Sequence, residues 1–393
     1  MPVYTGKKEK RFTSGQMLLA ALGGAMLALA TAILALWLIL GPYALSLAGA
    51  WGMVQTRFVG EYDPDTAADA ALNGLVAGLG DRWSYYTNAE GYAAMRERRD
   101  NSFVGIGVTV ELAEGEGLLI TELYENAPAQ NAGLRLGEVI TAVDGVSLAD
   151  KTLEEATALV GGEEGTALTL TVRGLDGKKR QVELERAQVE NISAVYELLE
   201  DKTGYIRVKN FYTHSADQVR SAVEDLQKQG ARALVFDMRN NGGGYVSELT
   251  QMLDYLLPEG PIFRMEEKKG RETVTDSDPD CVDLPMATLV NADTYSAAEF
   301  FAAQLQESIG APIIGEETSG KGYSQQAIPL PNGGALNLST GRYRTGAGVS
   351  LIGTGVALDE KVELSGEARA ALASGTLERS EDAQLQVALR RLG

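Results

Sequence analysis

The sequence predicts an α/β protein built from several units behind an N-terminal apolar helix. Three observations carry this expectation. From Met17 to Leu40 run 24 uncharged, mostly apolar residues. Asn101 to about Val189 reads as short strands separated by turns. After residue 190, apolar strands alternate with amphipathic helices, the pattern of a sheet covered on at least one face.

As a helix the first run would span about 36 Å, enough to cross a hydrocarbon core of roughly 30 Å with some tilt. Lys7, Lys8, Lys10 and Arg11 precede it against a single Glu9. The positive-inside rule therefore puts residues 1–16 in the cytoplasm, residues 17–41 in the membrane and the rest outside. A cleaved signal peptide is the rival reading, with Ser46-Leu47-Ala48 as its cleavage site. Signal-peptide cores run to about 7–15 apolar residues, so the length favours an uncleaved anchor.

Residues 42–100 form an N-terminal helical region, with Ala67–Leu79 at helical spacing. The aromatic turn Leu79-Gly80-Asp81-Arg82-Trp83-Ser84-Tyr85-Tyr86-Thr87 follows it. Between 101 and 189 the spacing predicts strands at Val104–Leu112, Leu118–Tyr124, Val139–Val143, Leu168–Val172 and Arg180–Leu184. With a helix at Leu153–Val160 they suggest a compact, partly open barrel. In 190–393 strands are predicted at Thr203–Val208, Arg232–Met238, Ala287–Val290, Ile313–Ile314, Ala327–Leu330 and Leu336–Thr340. Helices are predicted at Ser215–Gln229, Tyr245–Leu257 and Ser296–Ile309. Glu266–Asp280 is dense in charge and reads as a solvated loop.

The formal charge of −19 makes nucleic acid an unpromising partner, and docking of the main body on anionic lipid equally so. One histidine and one cysteine leave few ways to activate a nucleophile. A Ser-His-Asp triad would need His214, and a Cys-His pair would need Cys281 with that same His214. His214 stands at a helix start and Cys281 in a charged loop, and neither is assigned a role. Lysine remains as a base for serine, provided burial keeps its amine neutral.

Ser296 opens Ser296-Ala297-Ala298-Glu299, a capping-box pattern at a helix start, where most such serines only cap. The same position suits catalysis, because free N–H groups at a helix N-terminus can hold a developing oxyanion. Lys321 lies in Gly320-Lys321-Gly322, by default a solvated loop lysine. As a base its pKa would have to fall from about 10.4 toward neutrality, which burial among apolar groups supplies. The flanking glycines would let its backbone approach a substrate. Gln325 would hold the amine through its side-chain carbonyl if the chain curves back. Asn240-Asn241-Gly242-Gly243-Gly244 joins a strand to a helix but lacks the P-loop ending. It is either a plain tight turn or a set of oxyanion donors.

Together these segments resemble the carboxyl-terminal processing proteases, also called tail-specific proteases, across nearly all of residues 60–393. Phe103-Val104-Gly105-Ile106-Gly107-Val108 is similar to the family's PDZ carboxylate loop. Leu234–Gly244 is similar to its Asp-x-Arg-Asn-Asn-x-Gly-Gly turn, and Asn291–Glu299 to its nucleophile segment. Gly315–Gln325 is similar to its Thr-x-Gly-Lys-Gly-x-x-Gln base segment. Residues 79–87 resemble its Leu-Asp-Pro-Tyr-Ser turn, and Gly355–Val362 its late Pro-Asp motif. Three departures stand out: Gly242 where proline is often found, Asp293-Thr294-Tyr295 in place of small residues, and Leu358 for the late proline.

The resemblance implies a crotonase-like (ClpP/crotonase) α/β protease core at 190–393, a PDZ domain at 101–189 ahead of it, and serine endopeptidase activity. Ser296 would attack the scissile carbonyl, Lys321 would accept its proton and Gln325 would position Lys321. The N–H groups of Ala297 and Gly243 would form the oxyanion hole, with no metal or cofactor. Gly105, Ile106 and Gly107 would hold the C-terminus of a protein or peptide substrate, added as a strand beside Ile106–Glu111 and walled by Leu153–Val160. Self-association into a homo-oligomer stays open. Two rival readings are a membrane-tethered PDZ scaffold with an inactive core and a crotonase-like acyl-CoA enzyme. Intact Ser296, Lys321 and Gln325 weigh against the first, and the PDZ-like region and external placement against the second.

Overall fold

The computed structural model describes residues 13–124 and 126–393. The basic cluster Lys7–Arg11 lies outside the described residues. Two compact units make up the chain, Met1–Ala68 and Asp69–Gly393.

The first unit is dominated by the helix Ser14–Arg57, interrupted at Gly41 (φ 71, ψ 177), directly before Pro42. A glycine supplies the positive φ without a Cβ penalty. Within this helix Met17–Ala35 has a mean hydropathy of 2.2 and is long and apolar enough to cross a membrane.

Among the described residues the second unit holds four sheets. One of the two six-stranded sheets runs in the order Ala194–Leu198, Thr203–Val208, Ala233–Asp237, Met286–Val290, Ile313–Gly315, Glu360–Lys361. Its first pair is antiparallel and the remaining pairs are parallel. The strands are apolar at consecutive positions because both faces are covered. Leu234, Phe236 and Met286 pack in the main core with the helices Ser215–Lys228, Val246–Leu256 and Ala297–Ile309. Tyr205, Val235, Ala287 and Leu289 pack with the last helix, Ala383–Leu392.

That last helix is fastened by a buried ionic cluster. The Arg239 guanidinium reaches both oxygens of Asp237 (2.8 and 2.6 Å), both oxygens of Asp382 (3.0 and 2.7 Å) and Gln384 (2.9 Å). Burial alone would raise the Asp237 carboxyl, but the adjacent Arg239 charge holds it below its usual range. Asp382 also caps the helix by accepting the Leu385 N–H at 3.1 Å.

A second sheet, antiparallel, contains Tyr85–Thr87, Ala335–Arg344, Gly260–Glu267 and Glu272–Ser277, with Tyr323–Pro329 paired to Ala335–Arg344. Here the solvated-loop expectation for Glu266–Asp280 is corrected. Glu272–Ser277 is a strand, paired antiparallel with Gly260–Glu267. Its charges mark an exposed sheet surface on which Arg264 faces Glu272 (3.5 Å) and Arg344 faces Glu266 (2.7 Å).

The third sheet orders Val108–Ala113, Gly117–Leu123, Val139–Val143, Ala167–Arg173 and Lys179–Glu185, with Val146–Ser147 beside Val139–Val143. It closes around Ile106, Leu118, Ile140, Leu148 and Leu170, with Ala156 and Val160 from the helix Leu153–Val160. The single strand expected at Val104–Leu112 is split into Ser102–Gly105 and Val108–Ala113. Gly107 turns at φ 75 between them, and Ser102–Gly105 pairs instead with Ala187–Glu190.

Asp382→Ala would leave the buried Arg239 charge partly unpaired, at an expected cost of about 3 kcal/mol. Glu197→Ala, which removes the exposed partner of Arg379, is expected to cost under about 1 kcal/mol. Urea unfolding midpoints of the two variants check the contrast.

Candidate active site

The strand Met286–Val290 delivers the chain to the helix Ala297–Ile309 through a loop pinned to the Asn-Asn-Gly-Gly-Gly turn. Asn291 and Asn240 exchange two bonds: Asn291 Oδ1 accepts the Asn240 N–H (3.0 Å), and Asn291 Nδ2 donates to Asn240 Oδ1 (2.7 Å). Thr294 Oγ1 donates to the Met238 carbonyl (2.8 Å), and the Tyr295 N–H to the Asn241 carbonyl (3.1 Å). Asn241 donates through Nδ2 to the Val208 carbonyl (2.8 Å) and accepts the Gly243 N–H on Oδ1 (2.8 Å). The asparagines are thus the fasteners of the turn.

Ser296 sits at the helix start with φ 61 and ψ −128. These are the dihedrals of the first central position of a type II′ turn, where glycine dominates. A non-glycine residue held there stores on the order of 1–3 kcal/mol of strain. What holds it is Glu299, fully buried. One carboxylate oxygen, Oε2, accepts both the Ser296 N–H (2.9 Å) and the Lys321 N–H (2.9 Å). The other, Oε1, accepts the Gly320 N–H (2.7 Å) and Thr318 Oγ1 (2.6 Å). A single carboxylate therefore ties the backbones of Ser296 and Lys321 together.

In the Ser-x-x-Glu pattern the Glu299 side chain accepts the Ser296 N–H, and the Glu299 N–H goes to the Ser296 carbonyl (2.9 Å). At Thr152 the same pattern closes both arms: Thr152 Oγ1 accepts the Glu155 N–H (3.2 Å), and Glu155 accepts the Thr152 N–H (2.9 Å).

Lys321 projects toward aromatic faces, with Nζ 4.8 Å from the Trp83 ring centre and 5.5 Å from that of Tyr295. Burial, aided by the Arg99 charge and opposed by Glu299 and Asp81, pushes its amine down to about 8. Its glycines face the protein, contrary to the expectation that they admit substrate. A Cβ on Gly320 would meet the Gly353 backbone at 2.9 Å, and one on Gly322 would meet Ile352 Cγ1 at 2.6 Å.

Ser296, Lys321, Gln325 and Gly243 line one cavity of about 620 Å³, together with Trp83 and Arg99. Among the described residues no hydrogen bond joins Ser296 Oγ to Lys321 Nζ. Gln325 does not hold the lysine in this arrangement; its Nε2 donates to the Tyr323 carbonyl (3.1 Å) and Ser339 Oγ (3.2 Å). The Gly243 N–H is likewise engaged, by Asn241. The Ala297 N–H, first of the helix, has no acceptor among the described residues. A Cβ on Gly243 would stand 2.8 Å from that nitrogen and 3.0 Å from Ser296 Cβ, so the bare Cα keeps the approach to it open.

Two of the departures noted in the sequence fit one another. A Cβ on Gly242 would meet the Tyr295 hydroxyl at 2.5 Å and its ring at 2.7 Å. The Tyr295 ring, stacked on Trp83 at 6.4 Å, occupies the space that a side chain at 242 would take.

A separate groove of about 170 Å³ runs along Phe103–Val108, with Thr157 and Val160 opposite. Ile106 turns its side chain into the core at 1% exposure. The carbonyls of Ile106 and Gly107 accept Ala129 and Tyr124 (2.8 and 3.0 Å), while the N–H groups of Ile106 and Gly107 have no acceptor among the described residues. His214 lies outside both hollows, exposed between Glu190 (3.9 Å) and Asp217 (3.8 Å), and Cys281 is exposed.

Sequence reading gave Glu299 no more than a capping role, placed Trp83 only within an aromatic turn and passed over Arg99. Its spacing to Ser296 was visible; its hold on Lys321, 22 residues on, was not.

The family model for peptidase family S41 matches residues 202–362, and the PDZ domain model matches residues 119–174. The chain is 30% identical over 317 residues to the carboxy-terminal processing protease CtpA of Bacillus subtilis, covering 80% of this chain and 68% of that protein. It is 32% identical over 320 residues to the carboxy-terminal-processing protease of Bartonella bacilliformis, covering 79% and 73%. The solved structure of the tricorn protease superposes with a TM-score of 0.52 at 18% identity, over 80% of this chain and 31% of that one. This last likeness concerns fold alone.

Two outcomes follow from the geometry. Ser296→Gly should unfold at higher urea than Ser296→Ala, by about 1 kcal/mol, because glycine relaxes the positive φ. Gly242→Ala should be destabilising alone and largely neutral in a Tyr295→Ala background; a coupling energy below about 0.5 kcal/mol would show the two sites to be independent.

Proposed function

This chain belongs to the carboxy-terminal processing proteases, serine-type peptidases of family S41, and from that premise we propose that it is a membrane-anchored serine endopeptidase acting on extracytoplasmic proteins or peptides. Residues 17–41 would anchor it with 1–16 in the cytoplasm, 42–100 would lead to a PDZ domain at 101–189, and 190–393 would form the protease core. The observation that carries the catalytic reading is the shared Glu299 oxygen, which brings Ser296 and Lys321 to one cavity.

In this reading neutral Lys321 takes the proton of Ser296 Oγ as the oxygen attacks the scissile carbonyl. The bond to the leaving amine breaks, Lys321 returns the proton to that amine, and an acyl-enzyme remains. A water molecule, deprotonated by Lys321, then releases the acid and regenerates Ser296. The oxyanion is held by the Ala297 N–H. Gly243 is assigned as the second side of that hole; its N–H would have to leave Asn241 to donate. Gln325 would turn from Ser339 to position Lys321 once substrate is bound, since catalytic hydrogen bonds often tighten only then. The free N–H groups at Ile106 and Gly107, beside Gly105, would receive the substrate's C-terminus.

The reading is tested with the full chain and an unstructured protein. Ser296→Ala and Lys321→Ala should each abolish cleavage while the fold persists; full activity in a folded Lys321→Ala chain would overturn it. Only the unprotonated amine accepts a proton, so activity should rise with pH through about 8. The Arg99 charge depresses this amine, so Arg99→Gln should move the rise to higher pH. The same depression fixes the sign for stability: a charged Lys321 disfavours the folded state, and that penalty fades as pH climbs from about 8 toward 10.5.

A further inference from the structure

One wall of the catalytic cavity is the helix Ala89–Asp100, which contributes Tyr92, Met95, Arg96, Arg99 and Asp100. Arg99 is held in place at its backbone, where its carbonyl accepts the Thr213 N–H (3.3 Å) and Thr213 Oγ1 (3.0 Å). Arg99 is a half-buried residue, and its guanidinium lies 5.7 Å over the Tyr245 ring. Among the described residues neither Arg99 nor Arg96 forms an ion pair or donates a side-chain hydrogen bond.

Acids outnumber bases 54 to 35, and several arginines of the same unit find carboxylates, such as Arg173 with Glu116, Arg180 with Glu138, Arg344 with Glu266 and Arg379 with Glu197; Arg96 and Arg99 are among those that do not, and these two line the cavity. Asp100 lies on the same wall but takes neither arginine, and with two arginines against one aspartate the wall is net positive. A guanidinium carries five donors in a planar fork that fits a carboxylate with two parallel bonds. Arg99 lines the hollow that holds Ser296, and no carboxylate of the described residues pairs with it there.

We propose that Arg99, with Arg96 beside it, receives a carboxylate of the substrate close to the scissile bond. This rests on the protease reading of the same cavity and adds a chemical preference to it. The carboxylate is either an acidic side chain or the free end of a short chain.

The test uses the full chain in detergent micelles carrying Ser296→Ala, so that binding is read without turnover. Fluorescent peptides of one sequence are compared: a glutamate form with an amidated end, its glutamine counterpart, and the glutamine form with a free terminal acid. The glutamate is moved through successive positions. At least one carboxylate form should bind about tenfold tighter than the neutral peptide, as expected of a charge-assisted pair. Arg99→Gln should reduce that preference below twofold, and Arg99→Lys should restore part of it. If only the glutamate forms respond to Arg99 the source is a side chain; if only the free acid responds it is a chain end. A preference unchanged in Arg99→Gln, or no preference at any position, overturns the proposal. Cleavage of the neutral peptide by the chain with Ser296 intact tests the protease reading separately.

Discussion

The arrangement depends on one buried carboxylate. Glu299 cannot be fully enclosed unless every lone pair facing the protein finds a donor. The donors it takes come from both halves of the site: the Ser296 N–H on one side, and the Thr318, Gly320 and Lys321 groups on the other. Satisfying Glu299 therefore ties the backbone of Ser296 to that of Lys321. It also holds Ser296 at a backbone conformation it would not adopt alone.

Around this tie the electrostatics are local and opposite to those of the whole. A chain of net charge −19 would stabilise any ammonium. Lys321 escapes because it is enclosed beside Trp83 and Tyr295, and because Arg99 adds like charge. Ring faces attract a cation, yet desolvation outweighs that attraction. The glycines at 320 and 322 press the base loop against Ile352 and Gly353, and the glycines at 242 and 243 give room to Tyr295 and to the Ala297 N–H.

Much of this was legible in the sequence where a pattern was local. The alternation after residue 190 gave the strands and the helices that cover their sheet, and the motif order gave the family. The burial that Lys321 needs could be stated as a requirement before any geometry was known. What stayed hidden was long-range. Glu272–Ser277 reads as solvated loop because the charge of Glu272 is met only across the sheet, by Arg264 on the paired strand. The split at Ile106-Gly107 follows from Ser102–Gly105 pairing with Ala187–Glu190, over 80 residues away. Gln325 was expected on Lys321, but pairing between Tyr323–Pro329 and Ala335–Arg344 presents Ser339 to it first. The loop glycines were read as facing substrate because their packing partners at 352 and 353 leave no mark near residue 321.

The account turns on whether Lys321 is an unprotonated base near neutrality. The direct measurement is the titration of its side chain, by NMR of isotope-labelled lysine in the full chain with Lys321→Arg as the assignment control. The account predicts one lysine titrating near 8, absent in the control. If Lys321 instead titrates with the other lysines near 10.5, it is a solvated cation and the mechanism built on it is contradicted.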